Sequence, residues 1–256
     1  MTEILTLPKA VITEKSAPNV SAKYQHISTV QTVETLKEAG FYVRRAVVQN
    51  CRTRDPETAR HTVVMRHNQF KETLGMVPEI IITNSHDRST SFKMQAGLFR
   101  LVCSNGLVVA GEQFALEKAQ HRHLDEMKVI DMAQVVIKQA LEASKYTERY
   151  MNTILTDFQR VKYAKRVVDT IWPATHVPPE LLLQVRRNED IGNDLFKTFN
   201  VVQENIMKGG IQYNGNLKAD GQPRLTRTRG ITTINNDIKF NSRLWNLTET
   251  FYKEVR

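Results

Sequence analysis

The stretch EIIITNSHDRSTSFKMQAGLFRLVCSNGLVVAGEQF (79–114) holds three apolar runs, EIIITNSHD (79–87), SFKMQAGLFRLVC (91–103) and GLVVAGEQF (106–114), separated by short turn-forming segments. Runs of this length, rich in Ile, Val, Phe and Leu and bounded by Asn, Asp, Ser and Gly, read as strands. The Asn105-Gly106 pair is the strongest hairpin signal in the chain, because its turn needs positive φ angles that Asn and Gly tolerate. Upstream, FYVRRAVVQNC (41–51) and HTVVMRHN (61–68) add two more strands, broken by Asp55-Pro56. The five runs predict an antiparallel sheet. Before them, Ser28-x-x-Gln31 has the form of a capping box, Val30, Val33 and Leu36 mark an inner helical face, and Gly40 sits where a C-terminal cap belongs. Residues 1–25 carry Pro8 and Pro18 without periodicity and read as an extended or disordered arm.

Downstream the period changes. Residues 125–171 lack Pro and Gly, and Ile130, Ala133, Ile137, Leu141 and Ser144 recur at helical intervals. A second set, Ile154, Phe158, Val161, Tyr163 and Val168, is offset from the first, which predicts an antiparallel helical hairpin broken near Ser144 to Thr147. Pro173, Pro178 and Pro179 precede a short helix at 180–186 and a longer one at 190–208. The latter lies in LLLQVRRNEDIGNDLFKTFNVVQENIMKGG (181–210), where Leu195, Phe199, Val202 and Ile206 form a core stripe and Gly209-Gly210 ends it. Its polar members, among them Arg186, Arg187, Asp190, Asp194, Asn200, Gln203, Glu204 and Asn205, read first as partners for buried backbone and for one another, and second as a ligand set. Residues 209–232, with five glycines and Arg224, Arg227 and Arg229, read as a flexible basic loop. Phe240, Leu244, Leu247 and Phe251, with Trp245 beside them, predict a last amphipathic helix. The fold class is therefore α+β, a mostly antiparallel sheet in the N-terminal half and a helical C-terminal half. Its parts are an arm at 1–25, a β-rich domain at 26–124, a helical region at 125–208, the loop at 209–232 and a helix at 233–256.

With 256 residues, 41% hydrophobic and 25% charged, the chain can bury a core without disulfides or metal. No apolar run approaches the roughly 20 residues that span a bilayer, and the N-terminus has no charged-then-apolar signal pattern. The two cysteines, Cys51 and Cys103, read as buried thiols in a reducing cytoplasm. The net charge of +9 is concentrated. Residues 41–71 hold seven Lys or Arg against two acids, and residues 206–256 hold nine against four. Two basic blocks around a neutral middle suit a polyanion-binding surface, where phosphate contacts release counterions.

Motifs for nucleotide hydrolysis or dinucleotide redox are absent: neither GxxxxGK[ST] nor GxGxxG occurs. Pro78-Glu79 with Glu126-Met127-Lys128 faintly resembles a nuclease pattern, but its second half falls on a predicted helix, whereas that chemistry wants neighbouring strand positions. His61, His67, His121 and His123 lack a carboxylate or Cys pattern that completes a metal site. His86-Asp87 ends a predicted strand, yet no nucleophile stands at a recognisable spacing, so an ordinary turn is favoured over catalysis. We expect no catalytic residue, cofactor or metal. For nucleic acid the pieces fit better. Tyr42 and Arg44 share one strand face, and Arg45 shares the other with Phe41 and Val43, giving a stacking and phosphate-binding pair. Arg52, Arg54, Arg66, Arg224, Arg227 and Arg229 complete the expected contact set, with Arg160, Lys162, Lys165 and Arg166 as a further basic patch.

The segments ITNSHDRSTSFKMQAGLFRLVCSNGLVV (82–109), LLLQVRRNEDIGNDLFKTFNVVQENIMKGG (181–210) and RTRGITTINNDIKFNSRLWNL (227–247), in this order, resemble the phage- and plasmid-borne family called domain of unknown function 932. The resemblance spans roughly residues 25–250. It implies carriage on a mobile element and action in a bacterial cytoplasm, and brings no activity, cofactor or catalytic residue with it. One departure is Arg88, where the family commonly has a small residue, often Gly. The resulting expectation is a non-enzymatic accessory protein that binds DNA, single-stranded by preference, in replication, transfer or recombination. The alternative is a host-takeover or anti-defence protein that binds a bacterial protein with its helical half as the surface, which an exposed apolar patch around Trp245 and Phe251 would support. Oligomeric state stays open.

Overall fold

The computed structural model describes residues 6–21, 24–49, 53, 55–70, 76–100, 106–108, 117–119, 126–217, 221–232 and 234–256. The chain forms two compact units, Met1–Ser144 and Lys145–Arg256.

The first unit is built on a sheet of β1 (Phe41–Val48), β2 (His61–His67), β3 (Met76–Asn84), β4 (Phe92–Arg100), β5 (Gly106–Val108) and β6 (Glu117–Ala119). Its order is β1-β2-β3-β4-β5, with β6 also pairing β4, and every pairing is antiparallel. Phe99 faces Gly106 and Leu98 faces Leu107, so Gly106 is a residue of β5 and not of a two-residue turn, which corrects the expected Asn105-Gly106 hairpin turn; residues 101–105 lie outside the described residues. Two helices precede the sheet, α1 (Lys9–Ile12) and α2 (Thr29–Glu38). Ser28 caps α2 by accepting a hydrogen bond from the Gln31 backbone N–H at 3.2 Å, and Gly40 leaves it with φ +93°. The segment expected to be a loose arm is instead docked where it is described: Ala10 and Val11 are fully buried, and Ala17 donates its backbone N–H to the carbonyl of His86.

Both faces of β2 and β3 are buried. One face carries His61, Val63 and Met65 opposite Asn84, Ile82 and Ile80. It takes α2, whose Thr29 bonds His61 while the Ala39 carbonyl beyond its end accepts from His67. The other face carries Val64 and Arg66 on β2 and Glu79 and Ile81 on β3. Helix α3 (Glu126–Met151) is continuous through the break expected near Ser144. The two units divide within it.

The second unit contains α4 (Asp157–Ile171), a 3-10 turn at Pro179–Leu183, α5 (Leu195–Lys208), the antiparallel pair β7 (Gly209–Leu217) and β8 (Pro223–Arg229), and α6 (Ile234–Val255). A full capping box, Thr156 with Gln159, starts α4. Its buried face is Tyr163, Ala164, Val167 and Val168, so the inward stripe is shifted from the expected one and Phe158 is left 79% exposed. Trp245 and Phe251 of α6 are fully buried; Trp245 lies against Tyr150 and Phe199, and Phe251 against Tyr163. The apolar patch expected there does not exist on the surface.

The predicted loop at 209–232 is largely a β-hairpin. Gly209 starts it with φ +63°, and a Cβ there would collide with the Gly230 nitrogen and the Arg229 carbonyl carbon. Only glycine permits both the backbone conformation and the approach of the two chain ends. Five glycines in this stretch serve strand contacts and turns, and their abundance obscures the alternation beneath.

Candidate nucleic-acid interface

On β8 exposure alternates: Arg227 and Arg229 are exposed with Leu225, while Thr226 and Thr228 are half-buried. Arg224, near the turn, is exposed as well. Across the ladder Gln212 faces Arg227, Tyr213 faces Thr226 and Asn214 faces Leu225. Tyr213, Gly215, Asn216, Arg224, Leu225, Thr226 and Arg227 line a cleft of about 450 Å³, closed on its other side by Ala174, Thr175 and His176. Among the described residues no carboxylate pairs with Arg224, Arg227 or Arg229. The cleft thus combines two guanidiniums, Arg224 and Arg227, with a phenol ring and an imidazole, and Arg229 stands farther along β8 outside its lining. That is the composition a nucleic-acid strand requires, with charge for phosphates and π-faces for bases. Tyr213 and His176 escape sequence reading because no motif frames them; the Ile211/Tyr213 and Thr226/Thr228 alternation is their only signal.

The basic patch expected on α4 is paired with acids. Arg166 holds Glu254 through two bonds of 2.6 and 2.5 Å, Lys162 approaches the same carboxylate at 3.9 Å, Lys165 pairs with Asp169 at 2.7 Å and Arg160 with Asp157 at 3.5 Å. The polar set of 181–210 is likewise turned inward. Arg186 donates to Asn205 Oδ1 and to the Gly209 carbonyl, Asn205 donates to the Leu182 and Gln184 carbonyls, and Gln203 donates to Asn241. Burial alone would raise the Glu204 carboxyl, but bonds from Lys208 and Arg187 hold it below the usual range. This motif binds its own helix end and the entry to the hairpin, as the structural reading expects.

In the first unit the expected contacts separate. Tyr42 is 40% exposed, and Arg44 and Arg45 are exposed. A β-bulge at Arg44 shifts the alternation: Tyr42 faces Arg66 and Arg45 faces Val64, so Tyr42 shares its sheet face with Arg45 rather than Arg44. Arg66 is no surface cation. It is 7% exposed and donates from Nε to Glu79 Oε1 at 2.8 Å, which corrects its expected role in phosphate binding. Burial raises the Glu79 carboxyl, opposed by the bond and charge of Arg66 and by Arg45 and Arg44. Arg52 and Arg54 lie outside the described residues, as do His121, His123, Cys51 and Cys103.

The His86-Asp87 turn is a polar clamp. His86 is fully buried, donates from Nε2 to the Ala10 carbonyl at 3.1 Å and stacks on His26 at 4.3 Å. Asp87 accepts the Ser89 backbone N–H. Arg88 has φ +64°, the left-handed region in which glycine costs least. Asn84 donates to Thr29 Oγ1 at 2.9 Å, Thr29 donates to His61 Nε2 at 2.8 Å, and His61 Nδ1 donates to the Ala59 carbonyl at 2.9 Å. That chain fixes His61 as neutral. Its pKa is lowered from 6.5 to about 4, first by burial and also by His26, against the opposing effects of the Ala59 bond and Asp87. The unfolded chain therefore takes up this proton before the folded one does. Stability is full above pH 6.5 and falls toward pH 4, by roughly 3 kcal/mol at this group. Urea unfolding at pH 7.5 and pH 4 should show a loss to which this group contributes. A His61→Asn variant is expected to lose less between the two pH values, and equal losses would contradict the assignment.

Among the described residues no three His, Cys, Asp or Glu are placed to hold a metal ion, and no helix is long and apolar enough to cross a membrane.

An antiparallel sheet in the N-terminal half, helices in the C-terminal half and a basic hairpin following the 181–210 motif define an α+β class. The chain belongs to the family described as domain of unknown function (DUF932), whose model matches residues 18–245. It is similar to two proteins of Escherichia coli (strain K12), UPF0380 protein YfjQ and UPF0380 protein YafZ. Each is 30% identical over 258 residues, covering 99% of this chain and 92% of the relative. No solved structure matches.

Proposed function

We propose that this protein is a non-enzymatic accessory protein of mobile elements, phage or plasmid, that binds single-stranded DNA in the bacterial cytoplasm during replication, transfer or recombination. The observation that carries the reading is the β7–β8 hairpin, with Arg224, Arg227 and Arg229 exposed and unpaired by any carboxylate among the described residues, beside a cleft holding Tyr213 and His176. A volume of about 450 Å³ falls in the range of small-ligand pockets. It has room for a nucleotide and not for a duplex, which supports the preference for single strands. Tyr42, Arg44 and Arg45 offer a second exposed contact on the sheet edge. For the competing reading, a host-protein binder using the helical half, the supporting apolar patch around Trp245 and Phe251 is missing, since both side chains are fully buried.

Photocrosslinking with an oligonucleotide carrying 5-bromodeoxyuridine, followed by peptide mass spectrometry, tests the location. Adducts are expected within residues 209–232 or at His176. Adducts confined to other peptides, or none at saturating DNA, would contradict the proposal.

A further inference from the structure

Leu225 is 66% exposed. A lone exposed leucine is common on protein surfaces, but the position of this one is specific. It stands on β8 between Arg224 and Arg227, on the wall of the cleft that also holds Tyr213 and His176. Its cross-strand neighbour, Asn214, is exposed too and offers no apolar cover. An apolar protein partner would have to desolvate the flanking guanidiniums in order to cover Leu225, which is costly without acidic partners. A nucleic-acid strand has the matching layout, with anionic phosphates outside and apolar base faces inside.

We infer that Leu225 inserts between neighbouring bases of the bound strand and unstacks them. The inference rests on the DNA-binding reading above and assigns the apolar step within it. Side chains alternate along β8, so Leu225 shares its face with Arg227 and Arg229, two and four residues along, while Arg224 lies on the other face. Leu225 to Arg229 spans about 13 Å, about four stacked nucleotides at about 3.4 Å each, with the leucine at one end of the cationic row. Aliphatic wedges flanked by cationic side chains are a general means of opening a base step. Arginines supply the salt-dependent part of affinity, and Leu225 supplies a part that salt does not screen.

The test uses the full chain and a single-stranded oligonucleotide containing 2-aminopurine, whose fluorescence rises when its neighbours unstack. Anisotropy of an end label reports binding in the same samples. Wild-type protein is expected to raise the 2-aminopurine signal at least about twofold at saturation. Leu225→Ala, at an exposed position that leaves the core untouched, is expected to bind about five- to tenfold more weakly with an unchanged salt slope, and to lose most of the rise. Leu225→Phe should restore it. Binding by the wild type without a fluorescence rise, or a full rise with Leu225→Ala, would overturn the inference while leaving DNA binding intact. Absence of binding in the anisotropy channel would overturn both.

Discussion

Replacing Arg66 by Ala is expected to lower the unfolding free energy by about 3–5 kcal/mol, a large share of the roughly 5–15 kcal/mol that holds a domain folded. The reason is the company left behind. Glu79 is 4% exposed, its partner is Arg66 at 2.8 Å, and Val64 and Ile81 occupy the same buried face. Without the guanidinium the carboxylate is a buried charge with its hydrogen bond gone. Burial already raises the Glu79 pKa, and in the variant it rises further. A raised carboxyl takes up its proton in the folded state first, so the variant's deficit relative to wild type should be widest near pH 8 and shrink as pH falls toward 5. Arg66→Met combined with Glu79→Leu removes both charges and should recover most of the loss. Urea unfolding of Arg66→Met, Glu79→Leu and the double at pH 8 and pH 5 gives the cycle. Additive losses in the double variant would contradict a coupled buried pair.

Changing Arg224, Arg227 and Arg229 together to Ala is expected to reduce single-strand affinity about a hundredfold near 0.1 M salt. Each phosphate contact on a single strand contributes about 0.7 to the slope of log affinity against log salt, so three contacts remove about 2 from it. The three side chains are exposed, and their loss leaves the buried core of α5 and α6 unchanged. Thermal unfolding of the triple variant should therefore match the wild type. Weaker binding with the slope unchanged would mean that these arginines are not the phosphate contacts. A lowered melting temperature would mean that they hold the hairpin rather than the ligand.

The two sites were legible to different degrees, for physical reasons. Apolar runs of five or more residues with turn chemistry between them fix strands locally, so β1 to β5 and the Ser28 cap were readable from residues alone. The last helix was readable too, since Phe240, Leu244 and Phe251 bury the face that their spacing predicts. Helix α4 was readable as a helix but not in its rotation, because Ala164 and Val167 complete a stripe that Phe158 leaves, and packing rather than hydrophobicity decides which residues face inward. The hairpin was hidden because glycines at 209, 210, 215, 221 and 230 signal flexibility, whereas Gly209 and Gly230 are required by backbone approach. The inserted residue at Arg44 was invisible as well. A bulge needs a partner strand to define it, and it moved Arg45 onto the face of Tyr42. Arg66 misled in the opposite direction: charge is legible in sequence, but burial against an acid thirteen residues away is not.

The hairpin and its cleft carry the functional account, and fluorescence anisotropy of the wild-type protein tests it most directly. Labelled single-stranded and duplex oligonucleotides of equal length would be titrated across a salt series that includes about 0.15 M, the physiological value. The account predicts binding that favours the single strand, persists at that salt and weakens linearly in log–log form as salt rises. Equal and weak binding to both forms and to an unrelated polyanion would contradict it, leaving the arginines of β8 as solvated surface.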